Sequence, residues 1–209
     1  MKALRIISAI RKTTPAAFLA VSTFFTAGAA HAQYRVTNLV SNQEGWAKVT
    51  DPLLVNGWGI SQPPDGPFWI SDNFSGWSTL YDSNGTKVPL DVLIPTAGED
   101  GPGSPTGTVF NASKDFAVKG ASAPFLFDTL DGTISAWAPS ITENSAQVVV
   151  TTKSASYTGL AISSKPTGNR LFAADFANDK VDIYDSSFKL VKSFTDPAVP
   201  TSFSVFGIQ

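Results

Sequence analysis

Short apolar runs interleaved with small polar residues, and separated by clusters of Gly, Pro, Asp and Asn, recur along the chain from residue 57 onward. Runs of that length with turn chemistry between them favour short strands over long helices. Three segments share one order of features. An apolar strand follows a Gly at Gly57-Trp58-Gly59-Ile60-Ser61, Gly107-Thr108-Val109-Phe110-Asn111 and Gly159-Leu160-Ala161-Ile162-Ser163. A second strand ends in an Asp: Asp72, Asp128 and Asp175. A third ends in an aromatic: Tyr81, Trp137 and Tyr184, each nine residues beyond its Asp. A fourth strand follows at Lys87 to Ile94, Ala146 to Thr152 and Leu190 to Phe194.

Four antiparallel strands repeating every 47 to 56 residues predict an all-β chain built from the blades of a β-propeller, at about 57–95, 106–152 and 158–196. A two-sheet sandwich would not require the fixed nine-residue register. Phe206-Gly207-Ile208-Gln209 overlays Trp58-Gly59-Ile60-Ser61, so a fourth blade is expected to begin near 203. Propellers close with roughly four to eight blades, and each blade buries its face on the next. The expectation is therefore an incomplete ring, six-bladed when complete, whose C-terminal blades are missing. Residues 33–56 form an N-terminal strand and linker on this reading, with Tyr34 to Val40 a candidate ring-closing strand. Such an arc, expressed alone, is expected to associate through its open ends.

Composition changes the picture mainly at the N-terminus. Lys2, Arg5, Arg11 and Lys12 precede an apolar, small-residue stretch from Ala16 to Ala30, and Ala30-His31-Ala32 supplies a signal-peptidase site. Residues 1–32 are thus expected to be a secretory signal cleaved after Ala32, which places the mature chain in the periplasm or outside the cell. The apolar run is too short and too interrupted for the ~20 residues of a membrane span. Cleavage removes 32 of 209 residues and four of 15 basic side chains, leaving 177 residues with 11 basic and 17 acidic side chains and a charge of −6. That balance offers no footprint for nucleic acid. The only His and the only Met leave with the signal, and the chain has no Cys. A Ser-His-Asp triad, a thiol nucleophile, a His-ligated zinc centre and a disulfide framework are all excluded from the mature chain. Carboxylates, amides, hydroxyls, Lys and Arg remain, a set suited to calcium or to polar binding.

The stretches Asp51-Pro52-Leu53-Leu54-Val55-Asn56-Gly57-Trp58-Gly59-Ile60, Pro105 to Asn111 and Phe125 to Trp137 resemble a family of uncharacterised exported bacterial proteins expected to be β-propellers, some ending in a PEP-CTERM sorting signal. The resemblance implies a propeller about twice this length and carries no activity with it. More distantly, the blades look like those of six-bladed propellers of the gluconolactonase and calcium-dependent phosphotriesterase type. Those hold calcium at the channel mouth with Glu, Asn and Asp, often through an Asn-Gly before an inner strand, and Asn56-Gly57 fits that position. The next two blades carry Thr106 and Thr158 there and so depart from the pattern.

In a propeller the loops entering the first strand and leaving the second share one face around the channel mouth. Asn56, Asp72, Asp128 and Asp175 are the candidate binding residues there, forming an acidic funnel for a cation or polyol, or else accepting backbone hydrogen bonds in tight loops. Recurrence in every blade favours the second role, because a structural device repeats and a working site differs between blades. Glu99 and Asp100, in the loop Thr96 to Pro105, complete a candidate calcium set with Asn56, or form an acid/base pair, or belong to a solvated Gly/Pro loop. Two functions follow as expectations. One is a non-catalytic exported propeller that binds a partner protein or an extracellular polymer. The alternative is a calcium-dependent hydrolase of lactonase or phosphotriesterase type.

Overall fold

The computed structural model describes residues 34–98, 101–200 and 202–208, so the predicted signal sequence and Glu99 and Asp100 lie outside the described residues. A short parallel pair, β1 (Val40–Ser41) with β2 (Val49–Thr50), precedes the first blade. The candidate ring-closing segment is in strand only from Val40, and its partner is β2 rather than a blade.

Blade A comprises β3 (Gly57–Ser61), β4 (Phe68–Asp72), β5 (Trp77–Tyr81) and β6 (Lys87–Leu93). Blade B begins with β7 (Pro105–Phe110), followed by a small hairpin, β8 (Ala117–Val118) and β9 (Ala121–Ser122). It continues through β10 (Phe125–Thr129), β11 (Thr133–Trp137), one helical turn α1 (Pro139–Thr142) and β12 (Gln147–Thr151). Blade C comprises β13 (Tyr157–Ser163), β14 (Arg170–Asp175), β15 (Lys180–Asp185) and β16 (Leu190–Phe194). Each blade is a four-stranded antiparallel meander in chain order, with β3, β7 and β13 as the inner terminal strands. Among the described residues no helix is long and apolar enough to cross a membrane.

The nine-residue register has a physical meaning. Tyr81 pairs with Phe68, Trp137 with Phe125 and Tyr184 with Leu171. Trp137 and Phe125 pack toward blade A, and Tyr184 and Leu171 pack toward blade B. Side chains alternate along a strand, so Leu126, Ile134 and Ala136 of blade B point the other way, into the cluster shared with blade C. Blade B is therefore covered on both sides, and every residue of β10 and β11 is buried. At the ends of the arc the pattern loosens. All of β16 is exposed, and Ile60 of β3 is 56% exposed. The segment Asn38 to Val40 lies along the outer face of blade A, where it helps to line a cavity of about 430 Å³ with Phe68, Ile70 and Tyr81.

Close approach of the inner strands depends on glycine. A Cβ at Gly59 would meet the carbonyl oxygen of Thr106, one at Gly107 the backbone nitrogen of Leu160, and one at Gly159 the nitrogen of Ile208 at 2.9 Å. Residues 206–208 thus stand beside β13 as β13 stands beside β7, although they are not in strand.

Candidate functional site

Each second strand carries its Asp to the inner-strand side of the blade, and Asp72, Asp128 and Asp175 are all fully buried. Asp128 Oδ1 accepts from Thr106 Oγ1 at 2.7 Å and from the Gly107 N–H at 2.5 Å. The same Thr106 hydroxyl lies 2.8 Å from the Tyr157 carbonyl oxygen, so this cluster joins the inner strands of blades B and C. Asp72 Oδ2 accepts from Thr79 Oγ1 at 2.7 Å. Asp175 Oδ1 accepts from the Ser156 N–H at 3.1 Å and its Oδ2 from Asn178 Nδ2 at 2.7 Å, with Lys180 Nζ 3.6 Å away. These three carboxylates do not form an acidic funnel open to solvent. Burial commits them to hydrogen bonds that fix loops and neighbouring strands.

Such burial is electrostatically costly. Asp72 Oδ1 and Asp128 Oδ2 have no partner among the described residues. Burial pushes the Asp72 carboxyl up to about 7, with the Thr79 hydrogen bond opposing, and the Asp128 carboxyl up to about 6 against the bonds from Thr106 and Gly107. Both folded-state values exceed the unfolded carboxylate value, so the folded form binds more protons. Their contribution to stability is complete at acid pH, below the unfolded value, and is lost as pH rises through about 6 to 7. The melting temperature is therefore expected to fall between pH 5 and pH 8, and Asp72→Asn with Asp128→Asn should flatten that slope. A melting temperature that rises over the same interval in the parent chain would contradict this assignment.

Asn56 is exposed, has a positive φ of 55°, and donates from Nδ2 to Asn73 Oδ1 at 3.2 Å. Buried Asn73 in turn donates to the Pro105 carbonyl oxygen at 3.1 Å, tying the first loop of blade A to the inner strand of blade B. Thr158 Oγ1 is 3.4 Å from the Ala174 carbonyl oxygen. Calcium takes 6–8 oxygen ligands. Among the described residues no three Asp, Glu, His or Cys side chains gather as a metal site would require. Asn56 bonds Asn73 through its Nδ2 and so offers one oxygen, Oδ1, while the neighbouring Asp72 is sealed; the other two members of the candidate calcium set, Glu99 and Asp100, lie outside the described residues.

Two polar clusters have no counterpart in the sequence reading. Asp51, 2% exposed, accepts from Tyr81 Oη at 2.6 Å and pairs with Lys87 Nζ at 2.8 Å. Burial alone would raise the Asp51 carboxyl, but Lys87, Tyr81 and the Leu53 N–H hold it below the usual range. In blade C the hydroxyls of Tyr157 and Tyr184 are 2.6 Å apart, and Tyr157 Oη donates to buried Asp182 at 3.1 Å. The aromatic that closes each third strand was the one legible signal. Its partners come from residues too distant in sequence to register.

The inner strands β3, β7 and β13, with Phe206, Gly207 and Ile208, line a channel of about 870 Å³ that is open along one side. Trp58 and Phe206 stack at 5.8 Å, and Phe206 meets Phe176 edge-on at 6.0 Å.

Three sequential four-stranded blades around a channel agree with the comparison to solved structures. A catalytically inactive virginiamycin B lyase from Staphylococcus aureus with quinupristin superposes with a TM-score of 0.52 at 14% identity, covering 72% of this chain and 45% of that one. The fold is a β-propeller. At that identity the likeness is one of fold alone. No family model matches the chain. An uncharacterised protein of Acanthamoeba polyphaga mimivirus is 26% identical over 184 residues, which are 81% of this chain and 44% of that protein. A second uncharacterised protein of the same virus is 28% identical over 165 residues, 75% of this chain and 42% of that protein. The propeller chain spans less than half the length of each of these relatives, which are viral, whereas the sequence resemblance pointed to bacterial proteins.

Proposed function

We propose that this propeller belongs to an exported, non-catalytic binding or scaffold protein that acts in the periplasm or outside the cell and presents its channel mouth to a partner protein or an extracellular polymer. The observation that carries the reading is the contrast between a formed channel and the chemistry around it. The recurrent carboxylates are buried and bonded to loops and neighbouring strands. A mature chain without His or Cys also has few ways to activate a nucleophile. The A-x-A leader and the resemblance to exported propellers support the compartment. The wholly exposed β16 of blade C and the exposed Ile60 of blade A, together with the greater length of the relatives, support further blades, six in all, in the whole protein.

Calcium titration calorimetry of the full chain tests this reading against a calcium-dependent hydrolase. The expected outcome is no saturable heat at about millimolar calcium, the weak end of protein calcium sites. A stoichiometric exotherm or endotherm would overturn the non-catalytic reading and return Asn56, Glu99 and Asp100 to the role of ligands.

A further inference from the structure

The channel has a chemistry distinct from the rest of the molecule. Eighteen described residues line it and none of them is ionisable, although 28 of the 177 residues of the mature chain are charged. Its walls are the inner strands β3, β7 and β13, each the terminal strand of its sheet. A terminal strand turns one row of backbone N–H and C=O groups away from its sheet. Ile60, Ser61 and Ile162 of β3 and β13 also line the channel. At the rim Trp58 and Phe206, 37% and 55% exposed among the described residues, present stacked rings.

We propose that the channel binds an uncharged small molecule with an apolar ring system, which lies against the Trp58 and Phe206 rings while its amide or hydroxyl groups meet the inner-strand backbone. The proposal rests on the reading of the chain as a binding propeller and goes beyond it, adding a small-molecule ligand inside the channel to the partner at its mouth. Three features select that class. The volume falls in the roughly 300–1,000 Å³ range of small-molecule sites. Walls without ionisable groups offer no counter-charge to offset the desolvation of a charged ligand, which disfavours phosphorylated or carboxylated molecules. Exposed aromatic rings supply large apolar contact area at little entropic cost.

The test is a fluorescence titration of the full chain with Nile red, an uncharged polycyclic dye, beside the anionic dye anilinonaphthalene sulfonate. Ser61→Glu places a charge on the channel wall, Phe206→Ser removes one rim ring, and Leu190→Glu alters the exposed outer strand β16 as a control. Saturable, one-to-one Nile red binding is expected. It should weaken about tenfold or more in each channel variant, hold its affinity in Leu190→Glu, and have no saturable counterpart with the anionic dye. The proposal is overturned by Nile red binding that survives both channel variants, by binding that falls in Leu190→Glu instead, by saturable uptake of the anionic dye at the Ser61-sensitive site, or by no saturable binding. A failed dye titration with no calcium heat removes the ligand class and leaves the binding reading in place. Calcium heat removes that reading itself.

Discussion

A Gly107→Ala chain is expected to lose about 3 kcal/mol or more of folding free energy, the upper range for overpacking a fitted core, whereas Gly101→Ala should stay within about 0.5 kcal/mol of the parent. The difference lies in what the new methyl group meets. At Gly107 a Cβ would run into the backbone nitrogen of Leu160 and stand 2.7 Å from its Cβ and 2.8 Å from Asp128 Oδ1; at Gly101 nothing among the described residues lies within 4 Å. A backbone atom cannot rotate away as a long side chain can, so β7 and β13 would have to separate. Their separation would also strain the bond from the Thr106 hydroxyl to the Tyr157 carbonyl oxygen. Urea denaturation reads the effect as a lower midpoint at unchanged slope. Equal midpoints for Gly107→Ala and the parent would mean that the inner strands of blades B and C are not in contact.

The blade architecture was legible because it is written in local, repeated terms. Short apolar runs mark the strands, turn residues separate them, and the constant nine residues from Asp to aromatic mark the second and third strands of each blade as one repeated unit. The candidate site was legible only as residue types. Asp72, Asp128 and Asp175 stood out by recurrence, and recurrence argued for a structural role, but their complete burial depends on the inner strand of the same or the neighbouring blade. Asn73 illustrates the limit: its bond to the Pro105 carbonyl joins positions that no period relates. The Asp51, Tyr81 and Lys87 cluster and the Trp58 and Phe206 pair were invisible for the same reason, since each unites residues from separate repeats or from outside them. Local pattern thus reports the strand and its faces, while the chemistry at the centre of a ring belongs to the assembly of blades.

The contact between blades A and B supplies the second large effect. Trp69→Ala should cost about 3–5 kcal/mol, the range for deleting a large aromatic from a packed core, and for a domain of this size should lower the melting temperature by roughly 10 °C. Trp69 is 4% exposed, stacks on Phe125 with ring centroids 3.8 Å apart and 19° between planes, and tilts against Trp137 at 4.9 Å. Truncation would remove the partner of both rings and open a cavity that Leu80 and Val92, already fixed in the same cluster, cannot fill. Trp69→Phe, which keeps one ring against Phe125, should cost about half as much. Trp46→Ala, at a position 68% exposed, should change stability by less than about 0.5 kcal/mol. Differential scanning calorimetry of the three variants distinguishes a blade contact from a general need for aromatic content. A Trp46→Ala loss as large as that of Trp69→Ala would place the stabilising contact elsewhere. In a chain without cysteine, blade-to-blade cohesion rests on such packing and on polar bonds like that from Asn73 to the Pro105 carbonyl. The stacked rings of Trp69, Phe125 and Trp137 join blade A to blade B, and an arc whose first blade detaches would lose the Trp58 wall of its channel as well.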